Sequence, residues 1–354
     1  MFDPTLYLHL SFAVLLTALA FGISWIMSRF APIVDEPNHR SSHMKTVPRA
    51  GGLSVVITFY IGFAFSWQLG YLEFVDKTLL AGFAASTFLI AVVSLVDDIT
   101  EQSAVVKLIT QIIAIVIVLY LGILLDVIAI PVVGYVQLGF LGYVVSFFWI
   151  LGLTNAYNFM DGLDGLAGGV AVIVSFFFLI ITYNEGSTFV YILSYSVLAG
   201  ALGFWILNYP PARIILGDVG AAFLGFCFAV LTIIASRFDE SRTSFLVMPL
   251  LLFNFIYDTS FTFLRRLINR ERVLEAHRSH LYQLLNRSGY SHLEVVLIQY
   301  CMVFLQGLGA FILVQIPGNE RMLIFVPFIL LQIVYTILVF KFARSRGVDI
   351  GNSY

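Results

Sequence analysis

Asn155, Asn158, Asp161 and Asp164 recur every third residue in TNAYNFMDGLDGLAGGV (residues 154–170), at the end of an otherwise apolar stretch. Residues three apart share a helix face, so this spacing gathers two amides and two carboxylates on one side. Groups of this kind are costly in hydrocarbon unless they line a wet cavity. A second acidic signal, Asp97-Asp98, closes another apolar run, with Lys107 ten residues on. Adjacent aspartates repel one another unless a cation sits with them. Hard oxygen ligands suit Mg²⁺, which takes one or two carboxylates plus the phosphate oxygens of a substrate.

Three further polar segments bear on the same chemistry. The stretch DEPNHRSSHMKTVPRAGG (35–52) carries Arg40, His43, Lys45 and Arg49 between prolines and ends in a glycine pair. It suits phosphate handling, because Pro37 and Pro48 restrict the backbone while Gly51 and Gly52 permit close approach. A loop touching lipid head groups is the plainer reading. In NYPPARIILGDVG (208–220), Asn208 precedes two prolines, Arg213 supplies a cation, and Asp218 stands at the start of an apolar run. There a helix cap and a metal ligand are equally good readings. The segment 265–292 holds six arginines, with His277 and His280 about one helical turn apart in EAHRSHLYQ. The usual zinc patterns are absent, so the two imidazoles are read as facing a common ligand. Asp258 lies two turns before Arg265 and is read as paired structurally with an arginine or a threonine hydroxyl in preference to lining the cavity. Clustered carboxylates and cations together suggest a diphosphate substrate bound through Mg²⁺.

The elements that position these groups follow from composition. Of 354 residues, 60% are hydrophobic and 11% charged, and the mean hydropathy is +0.95. Soluble domains carry about 25% charged residues, so the chain falls in the integral membrane class. The formal net charge of −2 singles out no partner, and nothing calls for nucleic acid. Cys227 and Cys301 sit in apolar runs and form no CxxC motif; they are read as small hydrophobes. The first apolar stretch lacks a basic start and a small-residue cleavage site, so it is expected to stay as a membrane helix.

About 20 apolar residues cross a bilayer as a helix. Eleven stretches qualify, near 8–28, 53–70, 78–96, 104–125, 139–159, 166–183, 188–207, 219–236, 245–264, 293–315 and 321–340. Residues 126–138 alternate apolar positions around a glycine and predict a short hairpin. The expected fold is an all-α polytopic bundle, a single membrane domain over residues 1–354. Fifteen basic residues fall on one side, against Lys77, Arg237, Arg242 and Arg321 on the other. The positive-inside rule then puts the N-terminus outside, and the C-terminus and the polar segments in the cytoplasm.

In order along the chain, DxPNxRxxHxxxxPRxGG, VDD, NxxNFxDGxDGLAGG, GD and HRSHLYQ resemble the polyprenyl-phosphate N-acetylhexosamine-1-phosphate transferases. The RSSH and HRSH variants are similar to the branch that starts surface polysaccharides such as O-antigen. Muramoyl-pentapeptide transferases carry three consecutive histidines in the last loop, whereas Arg278 and Ser279 separate the two here. The resemblance implies transfer of a sugar 1-phosphate from a UDP-N-acetylhexosamine to undecaprenyl phosphate at the bacterial inner membrane. Mg²⁺ would be the cofactor, with Mn²⁺ as an alternative, and a homodimer would fit the family. It implies Asp218 as a metal ligand with Asp98 beside it, and Asp97 or Asp98 as catalytic base or nucleophile. Asn155, Asn158, Asp161, Asp164, Asn208, His277 and His280 would hold the nucleotide sugar, and Arg40, Lys107 and Arg213 the phosphates. A transporter or flippase is the competing reading; against it, the polar groups collect at one face and no inverted repeat is evident. A non-catalytic scaffold sits poorly with an intact acidic set.

Overall fold

The computed structural model describes residues 4–31, 34–35, 47–73, 75–100, 102–130, 132–272 and 277–350. Each of the eleven apolar stretches forms a helix or a broken pair of helices. In chain order these are α1 (Pro4–Phe30), α2 (Gly51–Gln68), α3 (Lys77–Thr100), α4 (Ala104–Tyr120), α5 (Phe140–Phe159), α6 (Leu166–Asn184), α7 (Val190–Asn208) and α8 (Gly217–Arg237). They continue with α9 (Val247–Leu251), α10 (Phe253–Ile268), the short α11 (Leu281–Arg287), α12 (His292–Leu313) and α13 (Phe325–Ser345). Among the described residues nine helices are long and apolar enough to cross a bilayer. The other two stretches depart from the expectation. Helix α4 has only 17 residues, and the ninth stretch breaks between α9 and α10, where Leu252 leaves helical geometry at φ −105°, ψ 20°.

The two-stranded pieces are minor. β1 (Val34–Asp35) pairs antiparallel with β2 (Val47–Pro48). The expected hairpin is present between α4 and α5, with β3 (Val127–Ile130) paired to β4 (Gly134–Gln137) in the register Val127↔Gln137 to Ile130↔Gly134.

Helix α8 is the axis of the bundle and packs against α2, α3 and α5. Its apolar residues run all round the helix, which only a buried position accommodates. Phe223, Leu224, Phe226, Cys227 and Leu231 are fully enclosed. Helices α1 and α13 lie at the periphery, mostly uncovered by protein. Local signals fix where elements begin: Asp76 Oδ1 accepts from the amides of Thr78 and Leu79 to start α3. Ser291 and Glu294 form a capping box on α12. The alternation of spans brings the starts of α2, α4, α6, α8 and α12 and the ends of α3, α5, α7 and α10 to one end of the bundle. The described parts of the polar segments meet there.

Candidate active site

The site is built on the loop of Arg49. Pro48 O accepts from Ile215 N (2.9 Å), and the amides of Gly51 and Gly52 donate to Ile215 O (3.0 Å) and Leu216 O (2.7 Å). The PRAGG and ILGD segments therefore pair like short strands. A Cβ on Gly52 would collide with the backbone of Gly220, so the contact requires glycine. Gly217 has φ +74°, where L residues are strained, and a Cβ there would lie 2.8 Å from Asp98 Oδ2.

This pairing carries Arg49 between two aspartates. Its Nε lies 2.9 Å from Asp98 Oδ1 and its Nη2 donates to Asp218 Oδ1 at 3.0 Å. Lys107, in the first turn of α4, donates to Asp97 Oδ2 and, at 2.6 Å, to Asp218 Oδ2. Asn158 Nδ2 reaches Asp218 Oδ1 at 3.4 Å. Three carboxylates and two cations thus close one compact network at the membrane boundary.

The adjacent aspartates are not equivalent. Asp98, whose side chain is wholly buried, accepts from the backbone amides of Asp218 and Val219, both at 3.0 Å. It caps the start of α8, where the helix dipole favours an anion. Oδ1 is shared by Arg49 Nε and the Asp218 amide while Oδ2 accepts from the Val219 amide, so Asp98 sets the position of Asp218. Asp97 differs: its Oδ1 is buried and has no hydrogen-bond partner. A buried carboxylate oxygen left unpaired is costly, and a hard cation or a protonated ligand at that point would satisfy it. Among the described residues no three His, Cys, Asp or Glu side chains close into a ready-made metal cage. Mg²⁺ does not need one, since one or two carboxylates and substrate phosphates suffice. Asp97 Oδ1 with Asp218, which Lys107 Nζ joins to Asp97, is the donor set that fits it.

The DGLDG segment forms the adjoining wall. Asp161 lies in the turn after α5, where burial and then the neighbouring Asp218 push its carboxyl up to about 8, with Arg49 pulling the other way. A carboxyl held up in this way takes a proton more readily than an ordinary aspartate and, when protonated, can donate a hydrogen bond to an anion. Asp164 Oδ2 accepts from Ala212 N (3.1 Å) and lies 3.4 Å from His292 Nδ1. Asn208 is buried, accepting from Gly165 N (3.0 Å) and donating to Ile214 O (2.9 Å). It shapes the wall from behind. Asn155 donates to Gln111 Oε1 and Leu151 O, both at 2.8 Å.

The last loop is tied on by Asp258. Its Oδ1 accepts from Leu281 N (2.9 Å) and Thr262 Oγ1 (3.1 Å), and lies 3.1 Å from His280 Nδ1; its Oδ2 accepts from Tyr282 N (3.1 Å). The threonine partner matches the sequence reading, and the imidazole and amides take the place of an arginine. Asp258 caps α11 as Asp98 caps α8. Tyr282 Oη donates to Phe159 O (3.0 Å), and the His280 ring stacks near Phe159 at 6.1 Å and near His277 at 4.9 Å. The two histidines are thereby brought to the end of α5, one residue past Asn158.

Burial, then His280 and the arginines Arg266 and Arg265, hold the His277 imidazole down at about 3. Its folded value lies below the ordinary 6.5, so the unfolded chain binds the proton more tightly. The stability it contributes is complete above pH 6.5 and falls as pH drops toward 3. Unfolding midpoints in detergent should therefore drop less between pH 7 and pH 5 for His277→Gln than for the parent. Equal drops in the two proteins would refute a neutral buried imidazole.

One of the residues expected at the site stands apart from the carboxylate network. Arg213 is exposed, and its backbone N–H bonds to Leu207 O (2.8 Å), outside the carboxylate network. Arg40 falls outside the described residues. Arg49 and Gln111 join the site without having been singled out from the sequence, where Arg49 was one of four basic groups on a single loop.

Residues 80–236 match the model of glycosyl transferase family 4. The chain is 32% identical over 305 residues to a probable undecaprenyl-phosphate N-acetylglucosaminyl 1-phosphate transferase of Bacillus subtilis, covering 85% of this chain and 83% of that one. It is 29% identical over 364 residues to a decaprenyl-phosphate N-acetylglucosaminephosphotransferase of Mycolicibacterium smegmatis, covering 95% and 88%. A phospho-N-acetylmuramoyl-pentapeptide-transferase of Lactobacillus johnsonii is 39% identical over 108 residues, only 30% of this chain. With similarity running along most of its length and the acidic motifs gathered at one end of a membrane bundle, the chain belongs to glycosyl transferase family 4, among its polyprenyl-phosphate N-acetylhexosamine-1-phosphate transferases.

Proposed function

We propose that this protein transfers N-acetylhexosamine 1-phosphate from a UDP-sugar to undecaprenyl phosphate, releasing UMP, at the cytoplasmic face of the bacterial cell membrane. The observation that carries the reading is the network of Asp97, Asp98, Asp218, Arg49 and Lys107 at the bilayer boundary. The names of the full-length relatives favour N-acetylglucosamine as the sugar. The excess of basic residues on the side of this network favours the cytoplasmic placement. The product would start a surface polysaccharide.

An acceptor phosphate oxygen attacks the β-phosphorus that bears the sugar. A new P–O bond forms there, the bond from that phosphorus to the bridging oxygen breaks, and UMP leaves with the oxygen. Both reactants are anions, so the main task is to hold like charges together. Arg49 and Lys107 sit where they can shift from the aspartates onto incoming phosphates, and protonated Asp161 can donate to a phosphate oxygen. Asp97 and Asp218 would hold Mg²⁺, which when bound supplies charge neutralisation on the diphosphate. The second pKa of a phosphate monoester is about 6, so the acceptor needs little help from a base. Because the acceptor is itself a charged phosphate nucleophile near neutral pH, direct in-line attack is favoured over an aspartyl intermediate.

Purified protein with UDP-N-acetylglucosamine, undecaprenyl phosphate and Mg²⁺ should release UMP and yield a lipid diphospho-sugar by mass spectrometry. Chelating the metal should abolish turnover. UMP released stoichiometrically without acceptor would replace direct attack by a covalent route. No UMP from any UDP-N-acetylhexosamine, together with transport of lipid-linked sugar in vesicles, would overturn the enzyme assignment.

A further inference from the structure

The end of the bundle away from the carboxylates carries an organised element that the proposed reaction does not use. Helix α4 has 17 residues, about 26 Å of helix, against a hydrocarbon layer of about 30 Å. Its first turn already holds Lys107 at the catalytic network, so Tyr120 barely reaches the opposite interface. The hairpin β3–β4 starts seven residues later. No charged side chain occurs between Asp126 and Asp161.

The base of the hairpin is fixed. Arg237, at the end of α8, pairs with Asp126 at 3.3 Å and donates to Leu124 O at 3.2 Å. Leu125 N donates to Ser146 Oγ at 2.7 Å. The tip is apolar and uncovered. Val132 is fully exposed, and Val133 and Tyr135 are 69% and 74% exposed. Val132 also has φ +69°, a left-handed conformation that a β-branched residue adopts only under strain. A turn made for water would carry glycine or asparagine there. Phe140 and Leu141 continue the patch into the exposed face of α5 that includes Val145 and Phe148, which faces lipid in a membrane bundle. Tyr120, Tyr135 and Tyr143 are all exposed around it, the residue type that anchors proteins at the level of lipid head groups.

We propose that the hairpin is a membrane-interface anchor, inserting Val132 and Val133 into the lipid leaflet opposite the catalytic face. The occupant of the patch is the bilayer itself. Exposed apolar residues recur from the tip to the start of α5, at Val132, Val133, Tyr135, Phe140 and Leu141, and the absence of basic residues on the hairpin makes insertion independent of anionic lipid. The paired backbone of the two strands leaves outer-edge groups that need water, which sets the depth at the interface and not the hydrocarbon centre.

A nitroxide on Val132→Cys, in a Cys227→Ala, Cys301→Ala background, tests this in phosphatidylcholine nanodiscs by power-saturation EPR. The expected result is a collision ratio that favours oxygen over a polar nickel chelate at least threefold more than a label on Glu185→Cys, and approaches that of Phe148→Cys. Nickel accessibility equal to that at Glu185 would overturn the proposal. A label shielded from both reagents and cross-linking to a second copy would overturn it too, assigning the patch to protein.

Discussion

Asp218→Asn is expected to lower kcat/KM by about 10³-fold or more while the protein still folds. Asparagine keeps the volume and one acceptor oxygen, so Arg49 and Lys107 retain Asp98 and Asp97 as partners. What is lost is the one carboxylate that touches both cations and Asn158. Removing a single preorganised group at a charged transition state typically costs about 10²–10³-fold, and here loss of a metal ligand adds to it. The measurement is steady-state UMP release over a Mg²⁺ series, with the melting temperature followed in the same detergent. More than a tenth of parental activity at any Mg²⁺ concentration would remove Asp218 from the reacting charge. Asp97→Asn should behave alike, because it disables the buried oxygen that lacks a partner.

Asp98→Ala is expected to damage the fold as well as the chemistry. The change strips two amides of the α8 start of their acceptor and leaves Arg49 without its buried partner. Breaking a buried pair costs about 3–5 kcal/mol, and the partial exposure of Arg49 puts this case near 3 kcal/mol. In a chain of this size that lowers Tm by about 5 °C. Arg49→Ala in the same molecule should recover part of the loss, because the two residues belong to one network. Strict additivity of the two substitutions would show that Asp98 does not restrain Arg49.

The contrast between Asp97 and Asp98 shows where sequence reasoning stops. Hydropathy located all eleven apolar stretches, and the glycine and alternation in 126–138 were enough for the hairpin. Spacing alone could also say that a pair of aspartates ends α3 at a membrane boundary. Neighbours on a helix point about 100° apart, and which one meets the start of α8 depends on a helix 120 residues away. Arg49 was hidden for the same reason: four basic groups share one loop, and only the pairing of Pro48 to Gly52 with 215–216 selects among them. The break at Leu252 is a step of one residue inside an apolar run, which leaves the hydrophobic pattern intact. Asp258 was legible as a structural carboxylate because a buried acid two turns from the helix end needs partners, but the sequence did not name His280 among them.

The pairing of the PRAGG and ILGD segments has a consequence for how the protein is made. The two halves of that contact leave the ribosome more than 160 residues apart, and Asp98 cannot cap α8 until both have been inserted. Nascent chains that end before α8 therefore hold Arg49, Asp97 and Lys107 without the carboxylate that joins them. Those charges stand at the bilayer surface in an incomplete bundle, the stage at which a chaperone or a quality-control protease would find them. The carboxylate network closes only when α8 joins α3 and α4, and the site is complete only once the later loop of His277 and His280 has docked on Asp258.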